Sequence, residues 1–240
     1  MFLATITCHR DFYQMLLQAE SIGKFLEPCK HVIVINEDYP DIDFWDRWLR
    51  PYYKGHELEI IPRIKYNYPI AALGEFSAKS GTIIKDTNGW RTQQLQKLLL
   101  AYYYEDDYLL LDSKNFFIKP AKIEEWQESV GSNHFILSPV FHRTQESYRK
   151  VMNKPVSQCC SPVTPFKISY KQLVDNCRIS ELAYYLFYPE FEGILASEFI
   201  CYSTIAWTEM IDAVPIDSLP ACQTLWVDDK PQLFNKIVYS

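Results

Sequence analysis

The sequence predicts an α/β domain built on a mainly parallel central sheet with helices on its faces. Three observations carry this expectation. Short runs of β-branched and aliphatic residues recur without polar alternation, as in strands covered on both faces. Stretches with apolar residues at helical spacing separate them, which implies crossover connections. Polar clusters follow two of the strands at their carboxyl ends, where open α/β sheets bind ligands.

Taken in order, Leu3 to Thr7 is the first strand. From Asp11 to Leu26, Phe12, Met15, Leu16, Ala19, Ile22, Phe25 and Leu26 form one helical stripe. Asp11 is its expected N-cap and Pro28 lies just past its end. His31 to Asn36 is a second strand, buried on both faces, and Leu58 to Pro62 a third. A polar, irregular loop spans Ile64 to Asn88, and a helix follows from Gly89 to Tyr104. Asp107 to Asp112 has an unbroken apolar run and belongs in the sheet interior. Extended structure resumes from Phe116 to Pro120. Farther on, the patterns predict a helix at about Ile123 to Ser129 and a strand from Phe135 to Ser138. A Pro- and Ser-rich stretch runs from Pro155 to Pro165. Helices are expected over Ser169–Asn176, Ser180–Leu186 and Ser197–Trp207, and a tail from Val214 has one strand-like piece around Thr224 to Val227.

A chain of 240 residues suits one domain, read here as 1–240 with a first half, 1–120, and a second, 121–240. The net charge is -6 and no basic run exceeds two residues, which argues against nucleic-acid binding. No apolar run approaches the roughly 18 residues of a membrane span, so none is expected. The opening residues lack a basic leader and read as a strand rather than a signal peptide. Seven cysteines, an odd number without a CxxC pair, suggest reduced thiols and a cytoplasmic setting. Cys159 and Cys160 are adjacent, which suits loop thiols better than a shared metal. Aromatic residues are abundant, 14 Phe, 6 Trp and 17 Tyr, and the 17 Tyr carry more hydroxyls than a dry core can pair, so many are expected on half-wet surfaces.

Two polar clusters carry the candidate chemistry. One follows the first strand: Thr5, Thr7, Cys8, His9 and Arg10. The other follows the interior strand: Asp112, Ser113, Lys114 and Asn115. Between them a helix carries Arg91, Gln94 and Lys97, whose spacing of three places all of them on one face. That face reads either as an ordinary solvated surface or as one wall of a site. His134 and His142 flank a strand-like segment and read as structural.

These residues resemble a known pattern. Ala4-Thr-Ile-Thr7, His31-Val-Ile-Val-Ile35, the Trp90-Arg91-Thr-Gln-Gln-Leu-Gln-Lys97-Leu helix and Tyr108-Leu-Leu-Leu-Asp112-Ser together look like the nucleotide-sugar half of GT-A glycosyltransferases, a Rossmann-like fold. More narrowly, they resemble an uncharacterised bacterial and phage family grouped with glycosyltransferases. Its members carry a similar helix leading to an LDSD or LDSKN motif. Thr164-Pro-Phe166 and Ser197-Glu198-Phe199, with Tyr202 after them, also match. The likeness runs from Phe2 to about Trp207.

The resemblance implies transfer of a sugar from a nucleotide-diphosphate donor to a glycan or surface-polymer acceptor. Thr5, Thr7, Arg10, Arg91, Gln94, Lys97, Ser113, Lys114 and Asn115 are then donor-side candidates, and Thr164 and Phe166 acceptor-side ones. Asp112 and Glu198 become the catalytic candidates, Glu198 as the base of an inverting reaction. GT-A enzymes use a D-x-D motif to hold Mn²⁺ or Mg²⁺ against the diphosphate. Here the motif reads Asp112-Ser113-Lys114, with an ammonium in place of the second carboxylate. Two arrangements follow: a metal on Asp112, with or without Asn115, or a site whose positive charge comes from Lys114 and Arg91.

The residues also admit plainer readings. Two Thr in a strand reflect β-propensity, and Ser197-Glu198 at a helix start is a common capping arrangement. Asp112 can simply cap a turn while Lys114 points to solvent. The incomplete motif also suits a degenerate nucleotide-sugar or glycan binder without transfer activity. A nucleotidyltransferase is disfavoured because Thr5 to Arg10 contains no glycine for a phosphate loop.

Overall fold

The computed structural model describes residues 1–66, 89–125, 129–130, 139–154, 164–194, 196–206, 214–215 and 222–224. The strands are β1 (Phe2–Thr7), β2 (Lys30–Ile35), β3 (Glu57–Pro62), β4 (Tyr108–Leu111), β5 (Asn115–Phe117), β6 (Ser129–Val130), β7 (Phe166–Ile168), β8 (Val214–Pro215) and β9 (Cys222–Thr224). The α-helices are α1 (Phe12–Phe25), α2 (Ile42–Leu49), α3 (Gly89–Tyr104), α4 (Pro139–Met152), α5 (Tyr170–Asn176), α6 (Ile179–Phe187) and α7 (Glu198–Ala206).

Five strands form the central sheet in the order β3-β2-β1-β4-β7. β1 lies in the middle and pairs in parallel with β2 and β4, so Thr5 stands between Ile33 and Leu111. β3 extends the parallel set, and β7 closes the other edge antiparallel to β4. β5 with β9, and β6 with β8, make two small accessory ladders.

The pleat divides the interior into two layers. Phe2, Ala4 and Ile6 of β1, with Tyr108 and Leu110 of β4, pack against α3, α6 and α7. Leu3 of β1, with Leu109 and Leu111 of β4, packs against α1 and α2. Continuing the same alternation, Thr5 faces α1, while Asp112, one residue beyond β4, turns toward α3. Both layers are needed because β1, β2 and β4 expose no polar face, as their unbroken apolar runs require.

The expected helices over Ser169–Asn176, Ser180–Leu186 and Ser197–Trp207 appear as α5, α6 and α7, with Trp207 outside the described residues. Other expectations need correction. Asp11 sits at the N-cap of α1 but makes no capping hydrogen bond there. The helix expected at about Ile123 to Ser129 does not appear in the described part of that range, Ile123–Glu125 and Ser129. Ala121 bridges to Leu26, which keeps the chain extended, leaving one 3₁₀ turn over Ile123–Glu125 before Ser129 enters β6. The strand-like piece of the tail begins earlier than expected, at Cys222 in β9.

The sequence reading also passed over α2 and α4. In α2, Asp41 accepts a hydrogen bond from Phe44 N at 2.9 Å and so caps the helix that buries Trp45 and Leu49. Residues 67–88, the strand expected over 135–138, His134, the stretch 155–163 with Cys159 and Cys160, and residues 225–240 lie outside the described residues.

Most of the described tyrosines are partly or wholly exposed, in line with the expectation, and a minority lie in the core. Tyr108, Tyr148 and Tyr202 are fully buried, and each hydroxyl finds a partner, on Lys97 O, Leu186 O and Gln172 respectively. The core therefore accommodates these rings without unpaired hydroxyls. Tyr13, Tyr39, Tyr52, Tyr103 and Tyr184 are exposed. No helix among the described residues is long and apolar enough to cross a membrane.

Candidate functional site

α3 is positioned at both ends of its first turns. Asn36, following β2, donates to Gly89 O at 2.8 Å, and Gln93 donates to Ile6 O at 3.2 Å. Gln96 holds the chain leaving β3 by accepting from Ile64 N and donating to Ile64 O. Thus fixed over the carboxyl ends of β1 and β2, the helix directs Gln94 and Lys97 toward the end of β4.

There Lys97 meets two carboxylates. Its Nζ lies 2.7 Å from Glu198 Oε1 and 3.2 Å from Asp112 Oδ1, and 5.3 Å from the centre of the Phe199 ring. The Lys97 and Glu198 side chains are each 5% exposed, Asp112 26%. Lys114 Nζ sits 3.7 Å from the other oxygen, Asp112 Oδ2. Burial opposes a charge on Lys97, but the facing Glu198 and Asp112 outweigh it and its pKa is raised. Burial likewise opposes charge on Asp112, yet Lys97, Lys114 and a Thr164 hydroxyl hydrogen bond bring its pKa below the usual value. Lys97 and Asp112 are therefore both ionised near neutrality.

Gln94 completes the anchoring of Glu198. With its oxygen accepting from Trp90 Nε1 at 3.2 Å, its nitrogen donates to both Glu198 oxygens, to Oε1 at 2.9 Å. Glu198 is the first residue of α7, whose approach is fixed by Tyr148. The Tyr148 hydroxyl accepts from Ser197 N at 2.9 Å and donates to Leu186 O at 2.8 Å.

Asp112 itself stands on a tight turn. Asn115 N donates to Asp112 O at 2.9 Å, and Asp112 N donates to Asn115 Oδ1 at 2.7 Å. Fully buried Asn115 thus closes the turn from inside. A cavity of about 460 Å³ opens beside this cluster, lined by Asp11, Trp90, Gln93, Gln94, Lys97, Asp112, Ser113, Lys114, Ala196, Ser197, Glu198 and Phe199. It combines fixed positive and negative groups with the aromatic faces of Trp90 and Phe199, a lining suited to a polar ligand with a flat or ring-shaped part.

Of the residues singled out in the sequence, Gln94, Lys97, Asp112, Ser113, Lys114 and Glu198 converge on this cavity. The others lie elsewhere. Arg91 leaves the line of Gln94 and Lys97 and pairs with Glu190, 2.8 Å from its Oε2. Thr5 is buried beneath the sheet end, bonded to Gln18 and His31. Thr7 is also buried, and its hydroxyl has no hydrogen-bond partner among the described residues. Arg10 is exposed on the 3₁₀ turn His9–Asp11. Thr164 is buried against the Asp112 turn, and its carbonyl accepts from Asn115 Nδ2 at 3.4 Å. Phe166 belongs to β7 and packs in the core 4.9 Å from the Phe199 ring, so its side chain is not open to a ligand. His142 is exposed on α4.

The sequence reading missed Asp11 as a cavity residue, having assigned it to capping, and missed Trp90 and Gln93. The last two sit one residue before and after Arg91-Thr92, and the bulky Trp at the start of a polar helix was the available signal.

No protein-family model matches the chain, and no curated protein matches it. Solved structures do. The chain is similar to the mannosyltransferase Ktr4p from S. cerevisiae, at 10% identity over 95% of this chain and 78% of that one, with a TM-score of 0.54. It is similar also to the galactosyltransferase LgtC in complex with donor and acceptor sugar analogues, at 10% identity over 88% and 72% of the two chains, with a TM-score of 0.51. At such identity the likeness is one of fold, and the chain has the mainly parallel α/β fold of the GT-A glycosyltransferases.

Proposed function

We propose that this chain is a glycosyltransferase that moves a sugar from a nucleotide-diphosphate sugar to a glycan or surface-polymer acceptor. The observation that carries the reading is the ion cluster of Lys97, Asp112 and Glu198 at the carboxyl end of β4, lining a cavity of about 460 Å³. Ligands of open α/β sheets bind at that place. The fold shared with solved glycosyltransferases supports the class of reaction, and the donor and acceptor come from the sequence resemblance.

In this reading Lys114, which lines the cavity and is 39% exposed, faces the diphosphate of the donor. Its ammonium offsets the charge that develops on the departing nucleoside diphosphate. Asp112 holds Lys97 and Lys114 in place and borders the sugar. Glu198 has both oxygens engaged by Lys97 and Gln94, so its main work is to fix the Lys97 ammonium. Trp90 and Phe199 flank the ligand and exclude water from one side.

The resemblance implies Mn²⁺ or Mg²⁺ on Asp112. Each Asp112 oxygen already faces an ammonium, and Glu198 is tied to one of the same two. Among the described residues no group of three or more His, Cys, Asp or Glu could hold a metal ion. A divalent ion would enter only by displacing a lysine. The donor set does not fit a resident metal.

The test is release of nucleoside diphosphate from a panel of nucleotide-diphosphate sugars, with chelator and with Mn²⁺, using wild type and Asp112→Asn. Slow hydrolysis that Asp112→Asn abolishes supports a transferase. Saturable binding without release would make the chain a sugar-nucleotide binder instead.

A further inference from the structure

We propose that Gln18, which does not itself line the cavity, is the positioning residue that sets Asp112. The inference rests on the reading of Asp112 as part of a donor site. Gln18 is on α1 and fully buried. Its amide nitrogen donates to Asp112 O at 2.8 Å and to Asn115 O at 2.9 Å, the two ends of the turn from which the Asp112 carboxylate projects. Its oxygen accepts from the Thr5 hydroxyl at 2.9 Å. Both amide protons and the amide oxygen are thus engaged in joining the middle strand of the sheet to that turn.

The orientation of the amide is dictated from farther off. Thr5 gives its one hydroxyl proton to Gln18, so its 2.9 Å contact with His31 Nε2 is a bond it accepts, and that nitrogen carries the imidazole proton. His31 Nδ1 is then the acceptor for the Tyr53 hydroxyl at 2.6 Å. The imidazole is fully buried, and burial first and His56 second hold its pKa down at about 3, so it stays neutral and keeps this tautomer. The chain runs one way, from Tyr53 through His31, Thr5 and Gln18 to the Asp112 turn. Turning the Gln18 amide over would set its oxygen against two carbonyls.

Of the other buried residues of α1, Met15, Ala19 and Ile22 are apolar, and Ser21 is satisfied locally, donating to Gln18 O at 2.7 Å and accepting from Phe117 N at 3.1 Å. A buried amide in such a face is costly unless its bonds are all made, and these bonds lead to one place.

The experiment compares wild type with Gln18→Met, which keeps length and removes the donors, and with Ile22→Ala, which disturbs the same helix without reaching the turn. Hydrogen exchange of the 112–115 amides and calorimetric binding of nucleoside diphosphate and of nucleoside are measured on each folded protein. Gln18→Met is expected to speed exchange in 112–115 and to weaken diphosphate binding about tenfold to a hundredfold, leaving nucleoside binding unchanged. Ile22→Ala is expected to do neither, whatever its loss of thermal stability. Should Gln18→Met fail to fold, Gln18→Glu, which keeps the acceptor for Thr5, takes its place with the same expectations. Exchange and diphosphate affinity no different from Ile22→Ala overturn the proposal alone. A wild type that binds no nucleoside diphosphate overturns the donor-site reading, and this role of Gln18 with it.

Discussion

Lys97 and Glu198, 101 residues apart in the chain, meet at 2.7 Å with both side chains almost wholly shielded from water. Each is buried only because the other is there. An ammonium or carboxylate alone in that position would carry a desolvation cost of several kcal/mol.

Removal of one partner should therefore be severe. Lys97→Met leaves Glu198 buried with only the Gln94 amide beside it, and is expected to cost about 3–5 kcal/mol of stability in urea unfolding. Adding Glu198→Gln to Lys97→Met should recover part of that loss. Equal stability of single and double variants would show that the two charges do not depend on each other.

Asp112 is expected to separate function from stability. Asp112→Asn keeps the turn, since Asn115 bonds its backbone, and Lys97 retains Glu198. Stability should fall by about 1 kcal/mol, while hydrolysis of the donor falls by about a hundredfold or more. A large stability loss with activity preserved would mark Asp112 as a structural cap.

In the proposed reading, Lys114 supplies charge that the D-x-D pattern leaves to a metal. Lys114→Ala should weaken binding of nucleoside diphosphate by about tenfold and leave nucleoside binding alone. Wild-type affinity should depend little on Mn²⁺ and fall with added salt, because a half-exposed ammonium is screened. Lys114→Asp should become more dependent on divalent metal. Calorimetry with Mn²⁺ and with chelator checks all three, and diphosphate binding that requires metal in wild type and ignores Lys114→Ala would make the lysine a bystander.

The pH dependence of stability should carry the mark of His31. Its folded pKa, about 3, lies below the unfolded value of 6.5, so the unfolded chain takes up the proton first. Stability is fully present above pH 6.5 and is lost as pH falls toward 3, by up to about 1.4 kcal/mol per pH unit. Urea midpoints between pH 6.5 and 4.5 should slope accordingly in wild type, and the slope should flatten in His31→Gln.

How far the sequence revealed all this depended on the range of each interaction. β1, β2, β4 and α3 were legible because their apolar runs report burial residue by residue. α2 was missed because its charged stretch, Asp41 to Arg50, hides Trp45 and Leu49 among Asp and Arg. β7 was missed because three residues leave no pattern. Lys97 stood out by its spacing of three from Gln94 and Asp112 by its place at the end of an apolar strand, but no periodicity predicts that Glu198 comes back to them. Gln18 was passed over as one more polar residue of an amphipathic helix. Its position with Met15, Ala19 and Ile22, at spacings of three and four, places it on the buried stripe, and that was the sign.

Helix α7 has no wet side, since every residue from Glu198 to Ala206 is buried. This has a consequence for the order in which the chain folds. Lys97 and Asp112 are 15 residues apart on consecutive elements, so their pair closes over a short loop. Glu198 has far more chain to bring back, and docking it before the ammonium is in place would strand a carboxylate in an apolar interior. Charge is thus expected to set a sequence of assembly in which α3 and β4 join first and α7 seals the core and the ion cluster in one event. In folding kinetics Leu98→Ala should slow refolding, while Ile200→Val should mainly speed unfolding, and the reverse pattern would place α7 in the nucleus.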